Sequence, residues 1–151
     1  FENVALNNFK SSNFFNNGLI NEKKIKEHSQ KILSDFSVNT DNVELKSQFL
    51  SGGNLQKLII GRELITSPEL LICFNPTWGL DVGAINYIHE TLIKINEQKK
   101  SIILISTDTD ELLKLCDKIC VIFKGKLSNI MDAEEVTSEK LGILMGGGEI
   151  V

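Results

Sequence analysis

The sequence predicts an α/β fold in which a parallel sheet is flanked by helices. Three observations carry that expectation. Leu70–Phe74, Ile102–Ile105 and Ile119–Phe123 are unbroken apolar runs of strand length, the pattern of strands covered on both faces. Stretches with apolar residues at helical spacing alternate with them. The composition is that of an ordinary globular chain: 151 residues, 42% hydrophobic and 24% charged, enough for one core.

Residues 1 to about 48 are polar, rich in Asn, Ser and Lys, with no strand-like run. Within them Ile25, Ser29, Ile32, Leu33 and Phe36 recur at helical spacing, and Asn21 is placed to cap that helix. Glu22-Lys23-Lys24 reads as its solvated face. Leu55, Leu58, Ile59 and Ile65 form the apolar face of a second helix beginning just after Ser51-Gly52-Gly53. It ends before Ser67-Pro68, since proline disfavours αR in the residue before it. The strand Leu70–Phe74 follows, and Asn75-Pro76-Thr77-Trp78-Gly79 is a loop by composition.

Asp81 can cap the next helix, whose apolar face is Ile85, Ile88, Leu92 and Ile95 and which closes at Lys99-Lys100. After the strand Ile102–Ile105 come a helix near Asp108–Leu115 and the run Ile119–Phe123. Lys124-Gly125-Lys126 reads as a tight turn into a short strand, Leu127–Ile130. A last helix, about Ser138–Met145, stops at Gly146-Gly147-Gly148. The expected division is a helical part, residues 1–66, and the α/β core with a C-terminal hairpin and helix, residues 67–151.

Charge and cysteine content narrow the function. A formal net charge of −4 argues against a generic nucleic-acid or anionic-membrane binder. No run approaches the roughly 18 apolar residues that cross a bilayer. The three cysteines, Cys73, Cys116 and Cys120, form no disulfide framework, and His28 and His89 lie far from them in sequence. No metal site is expected, and a reducing compartment is. The chain opens at Phe1 without Met or a basic-then-apolar leader, so it reads as a piece of a longer polypeptide.

The segment with most chemical content is Leu50-Ser51-Gly52-Gly53-Asn54-Leu55-Gln56-Lys57. Two glycines let a backbone approach an anion and aim N–H groups at it. The helix starting there adds its positive end, and Ser51 adds a hydroxyl. Alone, Ser-Gly-Gly is more simply a loop ending in an N-cap. Its context is a strand about twenty residues on, then Pro76-Thr77-Trp78-Gly79-Leu80-Asp81, a second strand, and the acidic helix start Asp108-Thr109-Asp110-Glu111.

In that order the segments resemble the nucleotide-binding domain of an ATP-binding-cassette (ABC) ATPase, a P-loop-NTPase-like fold, over about residues 1 to 146. The eight residues from Leu50 resemble the family's signature motif, and Leu70–Thr77 the Walker B strand. Gly79-Leu80-Asp81 resembles the D-loop, and Thr107 falls at the switch histidine. The wording is similar to the second, C-terminal cassette of importers for simple sugars and nucleosides.

The departures fall in a pattern. No G-x-x-x-x-G-K-[ST] stands in the sequence, so the P-loop strand and helix are missing. Phe74 stands where the family has the Asp that holds Mg²⁺, and Asn75 where it has the Glu that orients water. A phenyl ring cannot hold a hard cation and a neutral amide cannot take a proton. The resemblance implies two cassettes sandwiching ATP head to tail. Ser51, Gly52, Gly53, Asn54, Gln56 and Asp81 would serve ATP held by the other cassette. Phe74, Asn75 and Thr107 would form this cassette's own, degenerate site, so the chain alone carries no catalytic residue and no ATPase activity. ATP and Mg²⁺ belong to the full assembly only.

The implied partners are the N-terminal cassette of the same polypeptide, membrane permease subunits contacted by the helical first third, and indirectly a solute-binding protein, at the cytoplasmic face of the membrane. Phe74-Asn75 tilts the resemblance slightly toward the nucleoside branch. A second reading is a non-catalytic scaffold or regulatory module with the cassette fold, which loss of the acidic pair would suit and an intact signature would not. A soluble ABC protein acting on DNA or ribosomes fits less well. Simpler readings attach to the remaining residues: Trp78 is an exposed or interface aromatic, Arg62 pairs with Glu63, His89 is packing, and Asp108, Asp110 and Glu111 are surface charges favoured by a helix dipole. Absence of the P-loop elements should leave apolar sheet surface open and promote self-association.

Overall fold

The computed structural model describes residues 1–6, 14–16, 19–40 and 42–148. They pack as two compact units, Phe1–Glu69 with Thr77–Ile88, and Leu70–Pro76 with His89 onward.

The first unit is mostly helical. Helix α1 (Glu2–Leu6) precedes two strands, β1 (Phe15–Asn16) and β2 (Leu19–Ile20), which pair antiparallel. This small hairpin corrects the expectation that the first 48 residues lack strands. Its signal was Asn17-Gly18, a favoured dipeptide for two-residue hairpin turns; those two residues lie outside the described ones. Helix α2 (Glu22–Asp35) is capped by Asn21, whose Oδ1 accepts the Lys24 N–H at 3.2 Å. It buries Ile25, Ser29, Ile32 and Leu33, four of the five residues read as its face. The ring of His28 meets that of Phe14 edge-on at 5.1 Å.

Helix α3 (Gly52–Leu64) starts two residues earlier than expected, with both glycines in its first turn and Ser51 as its cap. Its most buried positions are Ile60 and Gly61, not the predicted stripe, because Gly61 is where α2 approaches. A Cβ there would stand 2.6 Å from Phe36 Cδ2 and 2.7 Å from Ile32 Cγ2. Past the helix, Ser67 takes the left-handed φ of 49°, so Pro68 excludes αR from its neighbour by a turn rather than an extended step.

The second unit holds β3 (Leu70–Phe74) and β4 (Ser101–Ile105), paired parallel from Leu70↔Ser101 to Phe74↔Ile105. The connecting helix α4 (Val82–Glu97) buries Ala84, Ile88, Leu92 and Ile95, at the helical spacing read from the sequence with Ala84 in place of Ile85. The sheet is not covered on both faces. Leu71 and Cys73 are buried, whereas Leu70, Ile72 and Phe74 are 48%, 61% and 73% exposed, an open apolar flank. A cavity of about 940 Å³ lies beside β4, lined among others by Ile103, Ile105, Leu92, Ile119 and Ile122.

The run Ile119–Phe123 is two strands rather than one. β5 (Lys118–Ile119) pairs with β8 (Met131–Asp132), and β6 (Ile122–Phe123) with β7 (Lys126–Leu127). Between β5 and β6, the Val121 N–H donates to Ser128 Oγ at 2.9 Å and the Ser128 N–H to the Val121 carbonyl at 2.8 Å. A side chain thus breaks the ladder. Lys124 and Gly125 turn the β6–β7 hairpin at φ 45° and 78°, the left-handed pair such two-residue turns need. Of the predicted strand Leu127–Ile130, only Leu127 lies in a strand, β7, and residues 128–130 connect it to β8. Helix α5 (Thr109–Leu115) and helix α6 (Ser138–Met145) close the unit over a core of Ile119, Val121, Val136 and Leu141. No helix among the described residues is long and apolar enough to cross a membrane.

Candidate functional site: a glycine-lined helix start

Ser51 sits in extended conformation, φ −63° and ψ 158°, and caps α3. Gly52 and Gly53 occupy its first turn, where N–H groups have no partner within the helix. Ser51 and Gly52 are exposed and Gly53 half-buried. The two glycines are not equivalent. A Cβ at Gly52 would rest 3.4 Å from Leu80 Cδ2, an ordinary contact. At Gly53 it would stand 2.8 Å from the Ala84 Cβ, with Asp81 Oδ2 at 3.8 Å. Close approach to the start of α4 therefore requires glycine at 53.

Asp81 brings the second part of this constellation. Its Oδ1 accepts the Ala84 N–H at 3.0 Å, so it caps α4 as expected, and its side chain is beside the Gly53 backbone. Gly79, at φ 72°, makes the turn that delivers Leu80 and Asp81 there. Asn54 bridges inward: its Nδ2 donates to Ser51 Oγ at 3.0 Å and its Oδ1 accepts the Asn39 N–H at 2.9 Å. Lys57 is committed elsewhere. Its Nζ donates to the Ser37 carbonyl at 3.2 Å and lies 4.4 Å from the Tyr87 ring centre. Positive potential at this helix start thus comes from backbone N–H groups rather than an ammonium. Gln56 is half-buried in the next turn. Trp78 is 83% exposed.

The structure brings two residues of the other predicted set together. Asn75 has the left-handed φ of 43°. Its N–H donates to the Ile105 carbonyl at 2.8 Å, and its Oδ1 accepts the Thr107 N–H at 3.2 Å. Asn75 therefore ties the carboxyl ends of β3 and β4. Phe74 faces solvent. These residues are a poor donor set for Mg²⁺: Phe74 offers no oxygen, and Asn75 offers one neutral amide oxygen that already accepts the Thr107 N–H, with no carboxylate beside it. Among the described residues no group of three or more His, Cys, Asp or Glu could hold a metal ion.

Glu111 is a correction. It is 3% exposed, not a surface charge, and its Oε1 lies 3.1 Å from His89 Nε2, itself buried. With the carboxylate ionised, the imidazole N–H is the donor. His89 Nδ1 has no partner among the described residues. Asp108 does serve the helix start, accepting the N–H groups of Asp110 and Glu111 at 3.0 and 3.1 Å. Arg62 pairs with Glu63 at 2.8 Å.

Burial, and secondarily Glu111, pushes the Cys73 thiol up to about 11. Because the thiolate is the reactive form, iodoacetamide at pH 8 should alkylate the exposed Cys120 well before Cys73, as mass spectrometry of the peptides would read. Faster labelling of Cys73 would contradict its burial.

The arrangement in both units is that of an ATP-binding cassette. A dimeric ATP-binding cassette solved in a post-hydrolysis state with ADP and Pi shares the fold at a TM-score of 0.69, with 22% identity over 87% of this chain and 55% of that one. No family model matches. In sequence, the nucleoside import ATP-binding protein NupA of Lactococcus lactis subsp. cremoris is 41% identical over 99% of this chain, and the ribose import ATP-binding protein RbsA of Oceanobacillus iheyensis is 38% identical over 97%. The chain spans 29% of the length of each. It belongs to the ABC family of ATP-binding proteins.

Proposed function

We propose that this chain is the signature-bearing part of the second cassette in the ATPase subunit of an ABC importer for nucleosides or simple sugars. It completes an ATP site whose P-loop lies on the other cassette of the same polypeptide. The observation that supports this best is the union of Ser51, Gly52 and Gly53 with Asp81 at one exposed helix start, where a Cβ at Gly53 would be 2.8 Å from Ala84. A hydroxyl and first-turn N–H groups that have no partner within the helix suit the γ-phosphate of ATP.

In the reaction, water attacks the γ-phosphorus and the bond to the bridging oxygen of ADP breaks, giving ADP and phosphate. This chain's residues act by positioning and charge stabilisation. Ser51, Gly52 and Gly53 donate hydrogen bonds to γ-phosphate oxygens, and Asp81 holds the start of α4 against them. The chain's own site contributes no general base, since Asn75 is a neutral amide already bonded to Thr107. The helical first third meets the permease at the cytoplasmic face of the membrane, and a solute-binding protein acts through that permease.

Gly52→Asp in the complete subunit tests this. The site admits a Cβ at residue 52 with only ordinary contact to Leu80, so the fold survives while a carboxylate meets the incoming phosphate. ATP hydrolysis should fall by about 100-fold or more, the scale of losing a preorganised donor; unchanged turnover would exclude the proposed role across the interface. The scaffold reading, favoured by the loss of carboxylates at Phe74 and Asn75, expects turnover indifferent to Gly52. The open flank of Leu70, Ile72 and Phe74 supports a second expectation: the isolated chain self-associates in light scattering, and a monomer at high concentration would count against it.

A further inference from the structure

Ser51 has one proton to give and two lone pairs to fill, and both of its inward partners are donors. Asn54 Nδ2 donates to Ser51 Oγ at 3.0 Å, and the Asn54 backbone N–H donates to the same oxygen at 3.4 Å. The amide orientation is fixed by its other end. The Asn39 backbone N–H, 2.9 Å from Asn54 Oδ1, can only donate, so the carbonyl oxygen must face Asn39 and the amino group must face Ser51. No acceptor among the described residues is bonded to the Ser51 hydroxyl proton, and Ser51 is exposed.

We propose that Asn54 is a positioning residue that keeps the Ser51 hydroxyl pointed outward as a donor. The hydroxyl then meets a phosphate oxygen without first breaking an internal bond, the condition under which a donor stabilises developing charge at least reorganisation cost. Asn54 also ties this orientation to the backbone at Asn39, four residues past the end of α2, so displacement of that loop would release the amide and let the Ser51 proton turn inward. The proposal rests on the reading that Ser51 faces the γ-phosphate.

The experiment is a double-mutant cycle on ATP hydrolysis by the complete subunit: Ser51→Ala, Asn54→Asp and both together, with kcat and KM for ATP measured separately. Asn54→Asp is isosteric and its carboxylate still accepts the Asn39 N–H, so the loop stays anchored. Its second oxygen accepts the Ser51 proton instead of donating to Ser51, turning the hydroxyl inward. Expected is a loss in kcat as large as that of Ser51→Ala, about 100-fold, and less than a further twofold when both changes are combined. Asn54→Ala, which lets the hydroxyl rotate freely, should give a smaller loss that also vanishes in the Ser51→Ala background.

An Asn54→Asp loss of the same size with and without Ser51 would overturn the proposal, because that is what plain repulsion of phosphate by a new carboxylate gives. So would an Asn54→Asp variant with normal kcat beside a crippled Ser51→Ala. If Ser51→Ala itself leaves hydrolysis intact, the reading of the glycine-lined helix start fails first, and this inference with it.

Discussion

Gly53→Val in the complete subunit should lower ATP turnover by about 100-fold, measured as phosphate release. The cause is steric and local. A Cβ at residue 53 would be 2.8 Å from the Ala84 Cβ, and neither atom belongs to a flexible side chain that can swing away. The start of α3 and the start of α4 must part by several tenths of an ångström at least, and valine's branches enlarge that. Displacements approaching 1 Å at a reacting site cost about 100-fold. The control is Gly142→Val in α6, where a Cβ meets nothing within 4 Å and turnover should stay within twofold. Normal turnover in Gly53→Val would mean that the contact between these two helix starts is irrelevant to hydrolysis.

Glu111→Ala should strongly destabilise the second unit. Glu111 and His89 are 3% and 6% exposed and joined at 3.1 Å. Removing the carboxyl leaves an imidazole buried with one nitrogen newly unpaired and a cavity beside it. Orphaning a buried neutral group costs about 1–3 kcal/mol and breaking a buried ion pair about 3–5. A loss of about 3 kcal/mol, where those ranges meet, is expected from the urea midpoint at unchanged slope. Glu111→Gln, which retains a partner for the imidazole, should lose less than half of that. Equal losses for the two variants would show that volume rather than the hydrogen bond matters.

Local pattern made much of this fold legible. Leu70–Phe74 reads as a strand because it is apolar and short, and the cap residues Asn21, Asp81 and Asp108 each accept an N–H of the helix they precede. The failures share a cause, in that a distant partner decides the outcome. Glu111 looks like a surface charge until His89, 22 residues away, is brought against it. The run Ile119–Phe123 looks like one strand until Ser128 bonds into its middle. Gly61 looks like an ordinary helix residue until Ile32 and Phe36 close on it.

The site residues divide in the same way. The wording of Ser51, Gly52 and Gly53 stands out in the sequence, while the positioning proposed for Asn54 depends on Asn39, fifteen residues earlier. Asn75 reads as a lost carboxylate in the sequence. In the structure it is also a clamp on Thr107, a role that only the left-handed turn at its own φ of 43° makes possible.

The most direct test is a structure of the complete subunit trapped with a non-hydrolysable ATP analogue and Mg²⁺. The γ-phosphate held by the other cassette's P-loop should lie within about 3 Å of Ser51 Oγ and of a backbone nitrogen in Gly52–Gly53, the range of a direct hydrogen bond. A bound triphosphate with its γ-phosphate far from Ser51, in a closed and nucleotide-loaded subunit, would contradict the assignment of this helix start to the neighbouring cassette's ATP.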